Sequence, residues 1–338
     1  MEQLRTAVVG VGMIGGLHAR VYAEEPRTVL AAVVDPDVER ARQVAEPLGA
    51  AWYPDTTAML ARERLDLVSI ATREQDRFAP AAACAQAGIH LLLEKPLAPT
   101  LAEARRLAAA VEAAGVRSTV NFTLRSDPRY QRAKAAVADG TIGEPCTLFA
   151  RRRGTGDGLE NYAPWTDLLI STAIHDIDAM VWITDSPVER VYAEALVKRS
   201  AEWGKEDAVM ALLRFANGAI GSLETSWVLP PTAPAGLDAV LDIAGTAGGV
   251  SIAGANHGLA IVDREGYWRP DLTHWPVGPR GVFGDLQAAI AGFVADLLSG
   301  APETVTLRDA LYAQEIVAAM KTSFRSGAPV TLPFTGEG

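Results

Sequence analysis

Cysteine is scarce in this sequence, which has only Cys84 and Cys146 among its 338 residues. Neither cysteine lies near a cluster of cysteine and histidine, so the sequence predicts neither a disulfide framework nor a zinc site. No other set of histidines and carboxylates has the spacing of metal ligands, and we expect no catalytic metal. Two small apolar thiols are typical of a reducing compartment, and we expect the protein to be cytoplasmic.

Positive charge is also in short supply, because 31 lysines and arginines stand against 41 aspartates and glutamates, for a net charge of −10. This balance argues against a surface that binds nucleic acid or an anionic membrane. The sequence has no uncharged apolar run long enough to span a membrane, and no basic segment followed by the apolar core of a signal peptide. With 49% hydrophobic and 21% charged residues, the composition is that of a soluble globular protein.

Two domains are expected, because 338 residues exceed what one hydrophobic core usually holds. Over residues 1–122, short apolar runs alternate with alanine-rich amphipathic stretches, which is typical of βαβ units and a parallel sheet. The strands are predicted at 6–11, 30–34, 67–71, 90–93 and 118–122, and helices between them at 37–48, 76–87 and 101–114. The fold class is therefore α/β, with residues 1–122 as the first domain.

The pattern changes after about residue 145. Residues 151–158 predict a loop and residues 167–183 a helix. Strand-like runs follow without helices between them, at 188–198, 208–215, 219–228, 239–244 and 259–262, with Asn217-Gly218 as a hairpin turn. Two helices are predicted at 283–298 and 308–324. We therefore predict that residues 123–338 form an α+β domain with a large, open, mainly antiparallel sheet.

The most informative motif is a Gly-x-Gly-x-x-Gly turn between the first strand and a helix. Gly10 permits the tight turn, Gly12 lets the backbone approach a pyrophosphate, and Gly15 lets the helix and strand pack closely. The helix N-terminus, which includes Met13 and Ile14, offers N–H groups to the phosphates. An ordinary glycine-rich turn is the alternative, but the motif in this context predicts a Rossmann domain that binds a dinucleotide.

Asp35 follows Gly15 by twenty positions and closes the second predicted strand. A carboxylate at this point typically binds the adenosine ribose and, with Asp37 nearby, repels a 2′-phosphate, so we expect NAD to be preferred over NADP. Arg40 and Arg42 would reverse this preference if they faced the ribose, but we expect them on the exposed face of the next helix.

Two further strands end in residues that we place beside the cofactor, because ligands of an open parallel sheet bind at the carboxyl ends of its strands. Glu94 and Lys95 directly follow the strand at 90–93, and Thr72 follows the strand at 67–71. Pro96 raises the alternative of a cis peptide bond after Lys95. On composition alone, Lys95 could equally be a surface lysine in a loop.

A second candidate for chemistry is the helix predicted at 167–183, where His175 and Asp178 are three residues apart and project from one face. A histidine beside a carboxylate can act as an acid or base near neutral pH. Taken alone, the segment could equally carry a surface histidine among solvated acids.

Taken together, these motifs resemble the Gfo/Idh/MocA family, named after glucose-fructose oxidoreductase and inositol dehydrogenase. The shared patterns are Gly-x-Gly-x-x-Gly-x-x-His at 10–18, Glu-Lys-Pro at 94–96 and His-(Asp/Glu)-x-Asp at 175–178. They occur in the family's order, and the resemblance spans nearly the whole chain. It implies NAD(P)-dependent hydride transfer at a secondary alcohol of a sugar, sugar acid or cyclitol.

By this resemblance, Lys95 holds and polarises the reacting oxygen, His175 is the general acid/base, and Asp178 hydrogen-bonds the substrate. The resemblance also implies a site formed by both domains and a homodimer or homotetramer that covers the open sheet. Two alternatives stay open. One is an enzyme that uses NAD transiently for elimination or glycoside cleavage, and the other is a non-catalytic NAD-binding regulator.

The chain departs from the family's usual pattern at three places that bear on the substrate. Ser171 stands where many relatives have an aspartate one helical turn before the histidine, and the turn at 72–74 reads Thr-Arg-Glu rather than Thr-Pro-Asn. The segment after the sixth strand keeps Arg125 but lacks the family's asparagine. We include Ser171, Arg125 and Trp165 as candidate substrate-binding residues, with Arg151–Arg153 as an alternative contact for an acidic sugar.

Overall fold

The computed structural model describes residues 3–254, 258–264 and 266–336. The chain divides into two compact units. The first comprises residues up to 126 together with 273–311, and the second comprises 127–272 and the residues from 312 onward. The division differs from the sequence-based one, which assigned everything after residue 122 to the second domain.

The first unit is built on a six-stranded parallel sheet with the order β3-β2-β1-β4-β5-β6. Its strands are β1 (Leu4–Val9), β2 (Thr28–Val34), β3 (Ala51–Tyr53), β4 (Leu67–Ile70), β5 (His90–Leu93) and β6 (Ser118–Val120). The helices between them are α1 (Met13–Glu24), α2 (Val38–Ala45), α3 (Thr56–Leu60), α4 (Phe78–Gln86) and α5 (Leu101–Ala113). The strand order reverses between β1 and β4, as in a doubly wound nucleotide-binding fold. The predicted Rossmann domain is confirmed.

Local signals account for the ends of several helices in this unit. The Thr100 hydroxyl accepts the Glu103 N–H at 3.2 Å and so caps the N-terminus of α5. Glycines with a φ near +70°, which favours residues without a side chain, follow α4 and α5 at Gly88 and Gly115. The sequence does not predict β3 or α3, because segments of three and five residues are too short for a periodic pattern.

Residues 273–311 join the first unit because an apolar face of α9 (Asp285–Ser299) enters its core. Leu286, Ile290 and Phe293 belong to the same buried cluster as Val8 of β1 and Tyr22 of α1. Two short strands, β15 (Val277–Gly278) and β16 (Gly281–Val282), precede this helix. Sequence reading cannot detect such a long-range return, because the helix is apolar enough to pack on either unit.

The second unit contains a seven-stranded sheet with the order β12-β11-β7-β10-β9-β8-β17. Its strands are β7 (Pro145–Thr155), β8 (Val188–Leu196), β9 (Ala208–Phe215), β10 (Ile220–Leu229), β11 (Leu237–Gly245), β12 (Gly249–Ala253) and β17 (Val330–Thr331). All neighbouring pairs are antiparallel except β7 with β10, so the predicted mainly antiparallel sheet is confirmed.

The remaining elements of this unit are helices and one short hairpin. The helices are α6 (Pro128–Ala138), α7 (Leu159–Tyr162) and α8 (Ile174–Thr184), and the hairpin pairs β13 (Ile261–Val262) with β14 (Tyr267–Trp268). The last helix, α10 (Leu307–Ser326), begins in the first unit and continues into the second. Of the strand predicted at 259–262, only the last two residues are extended.

The loop predicted at 151–158 is wrong, because β7 continues to Thr155 and pairs with β10 on one side and β11 on the other. Three consecutive arginines gave the segment its loop-like composition. Each of them has a carboxylate partner: Arg151 pairs with Asp238, Arg152 with Asp176 and Arg153 with Glu224. The charges are neutralised within the unit, and the strand can therefore be internal.

Across all described residues, no helix combines the length and the apolar character that a membrane-spanning helix requires.

Candidate functional site

The glycine turn of the first unit is closed by contacts that leave no room for a side chain at two positions. Gly10 has a φ of +85°, and a Cβ there would lie 2.7 Å from the backbone nitrogen of Thr72. A Cβ on Gly15 would lie 1.8 Å from the Gly10 carbonyl oxygen. The turn after β1 is therefore packed against the end of β4, and both glycines have the roles that the motif predicted.

Gly12 differs from its neighbours, because a Cβ there would meet nothing within 4 Å. It is the N-cap residue of α1, and no side chain caps this helix end. Met13 is exposed and Ile14 half-buried at the first positions of the helix. Open space beside an uncapped helix N-terminus fits the pyrophosphate of a dinucleotide, which backbone N–H groups and the helix dipole would hold.

Asp35, at the end of β2, is only 4% exposed and organises the backbone around the glycine turn. Its Oδ2 accepts the Val11 N–H at 3.0 Å, and its Oδ1 accepts the Asp37 N–H at 2.9 Å. Arg40 bridges the two acids, with contacts of 3.3 Å to Asp35 and 2.9 Å to Asp37. Asp35 therefore holds the backbone of the glycine turn in place. Its contact with the ribose stays a prediction.

Thr72 follows β4 at the same edge of the sheet, and its hydroxyl oxygen is buried without a hydrogen-bond partner. The nearby Arg77 is only 2% exposed and donates from Nη2 to the Thr72 carbonyl at 2.6 Å. Burial lowers the pKa of Arg77 to about 10, so that the guanidinium is still charged at neutral pH. The sequence predicts Thr72 as a site residue, but nothing in its pattern distinguishes Arg77 from a surface residue at the start of a helix.

Lys95 directly follows Glu94 at the end of β5, and the Lys95–Pro96 bond is cis. Glu94 is only 8% exposed. It contacts His18 of α1 at 3.1 Å, and its other oxygen accepts the Lys95 N–H, also at 3.1 Å. The glycine motif and the Glu-Lys-Pro motif are thus joined by a buried hydrogen bond.

In the second unit, the candidate helix begins with a wide π-helical turn at Leu169–Ala173 and continues as α8. Asp167 accepts the backbone N–H groups of Leu169 and Ile170, both at 3.1 Å, which explains where the helix begins. The turn places Ser171 ahead of His175 with a spacing that a regular α-helix would not give.

His175 and Ser171 are half-buried on this helix, whereas Asp178 is only 2% exposed. The Ser171 hydroxyl lies 3.1 Å from the Thr172 hydroxyl, which in turn accepts the indole N–H of Trp227 at 3.0 Å. The Trp227 ring meets Tyr162 edge to face at 5.0 Å between the ring centroids. The roles of His175, Asp178 and Ser171 stay predictions.

Two other candidates for substrate binding make contacts within their own units. Arg125 is buried and donates to the Thr304 carbonyl at 3.2 Å, with Asp309 at 3.3 Å. Trp165 is half-buried and donates its indole N–H to the Asn161 carbonyl at 2.8 Å. Their contribution to substrate binding stays a prediction. In the described ranges, no group of three or more histidines, cysteines and carboxylates is arranged to hold a metal ion.

Comparison with family models identifies both halves of the chain. Residues 4–122 match the model described as an oxidoreductase family with an NAD-binding Rossmann fold, GFO_IDH_MocA. Residues 130–251 match the model of the GFO/IDH/MocA C-terminal domain.

Similar proteins extend over almost the whole chain. An inositol 2-dehydrogenase from Rubrobacter xylanophilus is 30% identical and aligns with 90% of this chain and 94% of its own length. A D-apiose dehydrogenase from Paraburkholderia graminis is 28% identical, and the alignment covers 98% of this chain and 90% of that protein. Among solved structures, GenD2 from gentamicin A biosynthesis in complex with NAD superimposes with a TM-score of 0.88 at 26% identity. The superposition covers 99% of this chain and 97% of GenD2.

Proposed function

This chain belongs to the Gfo/Idh/MocA family of NAD-binding oxidoreductases, and from that premise we propose that it is an NAD-dependent dehydrogenase of a cyclitol or sugar. The relatives that act on inositol and on D-apiose support this substrate class. The reaction would remove a hydride from the carbon of a secondary alcohol and a proton from its oxygen, leaving a ketone, NADH and a proton.

One observation carries the proposal: the glycine turn and Lys95 share the carboxyl edge of one parallel sheet. The turn follows β1 and Lys95 follows β5, with only β4 between these strands. This edge is where open α/β sheets bind their ligands. When bound there, NAD supplies the hydride acceptor or donor for the reaction.

We assign the remaining chemistry to side chains of this chain. The Lys95 ammonium would hold the reacting oxygen and stabilise the negative charge that develops on it. His175 would take or return the proton of the alcohol, and Asp178 would orient a substrate hydroxyl. Asp35 would bind the adenosine ribose, and its charge would favour NAD over NADP.

The test is the appearance of NADH with either cofactor against a panel of inositols, aldoses, sugar acids and glycosides. We expect turnover with NAD and at least one cyclitol or sugar. The Lys95→Met variant should bind NAD within twofold of the wild-type affinity but lose turnover. Wild-type NAD binding without turnover, together with release of an aglycone from a glycoside, would instead indicate transient redox chemistry. Activity that survives Lys95→Met would contradict the assigned role.

A homo-oligomer is also part of this proposal. Exposed apolar side chains on the sheet of the second unit, Met210 and Leu212 of β9 and Ile220 of β10, alternate along their strands with buried residues. A second copy of the chain that covers this face would remove them from water. Light scattering after gel filtration should give a dimer or tetramer, and Leu212→Glu should shift the mass toward the monomer.

We further propose a cytoplasmic location, which is supported by two cysteines that form no disulfide. Cys84 is buried and Cys146 is exposed. Burial raises the pKa of the Cys84 thiol to about 12, so this group is an inert part of the core. Fractionation of cells that express the tagged chain tests the location.

A further inference from the structure

We propose that Glu94 is a positioning residue for Lys95, and that His18 holds Glu94 in this role. The inference rests on the proposed function, in which Lys95 acts on the substrate oxygen. It assigns Glu94 a task different from cofactor contact, and it gives a task to a buried histidine that the reaction itself does not use.

Both oxygens of the Glu94 carboxylate are occupied by protein groups. Oε1 lies 3.1 Å from His18 Nε2 and accepts a hydrogen bond from the Asn121 side chain. Oε2 accepts the backbone N–H of Lys95 at 3.1 Å. His18, Glu94 and Asn121 are all buried. The carboxylate therefore fixes the peptide that carries Lys95, and a direct contact with the cofactor is not needed to explain its presence.

His18 connects this carboxylate to the helix that opens at the glycine turn. Its Nδ1 lies 3.0 Å from the Ser69 hydroxyl, which lies 2.8 Å from the Tyr22 hydroxyl. Burial raises the pKa of Tyr22, so its O–H is available as a donor. Tyr22, Ser69, His18 and Glu94 thus form one continuous chain of buried hydrogen bonds, in which the Nε2–H of His18 donates to Glu94.

The charges that face Glu94 come from three elements: His18 of α1, Arg77 ahead of α4, and Lys95 itself. Burial opposes the ionisation of Glu94, but the hydrogen bond and charge of His18, the Asn121 amide and the charge of Lys95 together hold its pKa below the usual value. Glu94 is thus an anion next to Lys95. The charge of Glu94 interacts with that of Lys95 and favours the charged form of the lysine, and its hydrogen bond to the Lys95 N–H restricts the backbone.

The first experiment uses Glu94→Gln and does not depend on catalysis. Competitive labelling of the full chain by acetic anhydride, followed by mass spectrometry, gives the pH at which half of the Lys95 amine reacts. Because removing an anion makes the neutral amine easier to form, we expect this midpoint to fall by about 0.5 to 1 pH unit. The exposed Lys198 is the internal reference, and the exposed Glu112→Gln is the matched variant that should leave the midpoint unchanged.

The second experiment separates positioning from cofactor binding. For Glu94→Gln we expect kcat to fall at least tenfold, while the dissociation constant of NAD, measured by fluorescence titration, stays within twofold. A tenfold weaker NAD affinity with unchanged kcat at saturating NAD would overturn the proposal in favour of a cofactor contact. An unshifted labelling midpoint in the folded variant, or a shifted midpoint with unchanged kcat, would overturn it as well.

Two variants of His18 test the proposal independently if Glu94→Gln does not fold. His18→Gln keeps a side-chain N–H that can donate to Glu94, whereas His18→Leu fills similar space without a donor. We expect His18→Leu to lower kcat at least tenfold, whereas His18→Gln should keep most of the wild-type kcat. Equal kcat values in the two folded variants would overturn the role of His18. If the wild type turns over no substrate, the proposed function fails, but the labelling midpoints still decide whether Glu94 controls Lys95.

Discussion

Arg152 of β7 and Asp176 of α8 form a buried ion pair in which two guanidinium nitrogens meet two carboxylate oxygens, at 2.6 and 3.0 Å. Their side chains are only 4% and 1% exposed. The pair ties the helix that carries His175 to an internal strand of the second unit. Such a pair fixes geometry more than it stabilises, because much of its attraction offsets the cost of removing two charges from water.

Breaking this pair from one side should be costly. Asp176→Asn removes the carboxylate that Arg152 contacts with two nitrogens, and we expect a loss of about 3 to 5 kcal/mol in the free energy of unfolding. The double variant Arg152→Met/Asp176→Leu removes both charges and should recover at least half of this loss. Urea unfolding followed by circular dichroism measures both values. A double variant as unstable as the single one would show that the pair itself stabilises the fold.

Three glycine variants test how α1 is built. Gly15→Ala forces a Cβ against the Gly10 carbonyl and should lower both thermal stability and NAD affinity. Gly16→Ala is the matched control, because its Cβ meets nothing within 4 Å, and alanine should stabilise the helix by up to about 1 kcal/mol. Gly12→Ala should keep the melting temperature and weaken NAD binding at least tenfold, since only the ligand's space is filled. Calorimetry measures the melting temperatures and fluorescence titration the NAD affinities. An unchanged NAD affinity in Gly12→Ala would show that the pyrophosphate does not bind beside Gly12.

Short-range patterns in the sequence predict five of the six strands in the first unit's parallel sheet, but not the return of residues 273–311 to this unit. The strand at 90–93 and the helix at 101–114 follow from short-range patterns, and the structure has β5 and α5 at these places. The glycine turn was predictable because its spacing is a local pattern, although Gly10 and Gly15 also pack against Ala71 and Thr72 after β4.

What the sequence could not provide are contacts between residues that are distant along the chain. His18 and Glu94 were each seen within a motif, but 76 residues separate them, and nothing local shows that they touch. The sequence predicts a loop at Arg152 because its partner Asp176 lies 24 residues away on another element. A buried charge is recognisable only through its counterion, and so β7 was missed.

The proposed preference for NAD rests on Asp35, and the structure adds a reason. Removing its carboxylate in Asp35→Ala would take away the proposed ribose contact and one of the two acids that hold Arg40, which would then become available to a 2′-phosphate. We expect the ratio of the NADP to the NAD dissociation constant to fall at least tenfold. Asp37→Ala, which removes the other partner of Arg40 but leaves Asp35, is the matched variant and should change the ratio less. An unchanged ratio in Asp35→Ala would mean that the ribose is bound by other residues.

The buried Glu206 of the second unit should make the stability of the fold depend on pH, independently of catalysis. The side chain is buried, and its Oε2 has no hydrogen-bond partner. Burial, and then the nearby charge of Asp167, raise the pKa of Glu206, although Lys321, which bonds Asp167 at 2.6 Å, opposes the shift. A carboxyl whose pKa is raised by folding favours the folded state when it is protonated. This contribution is complete below the unfolded value, about pH 4.3, and is lost as the pH rises through the folded one.

Glu206→Gln should therefore be more stable than the wild type at pH 7.5, because the neutral amide needs no buried charge. The difference in melting temperature should shrink as the pH falls and vanish below about pH 4, where the wild-type carboxyl is protonated in both states. Glu202→Gln, an exposed change in the same segment, is the control and should follow the wild type throughout. A Glu206→Gln variant that melts lower at pH 7.5 would show that Glu206 is held as an anion, with Lys321 acting as the counterion of both acids.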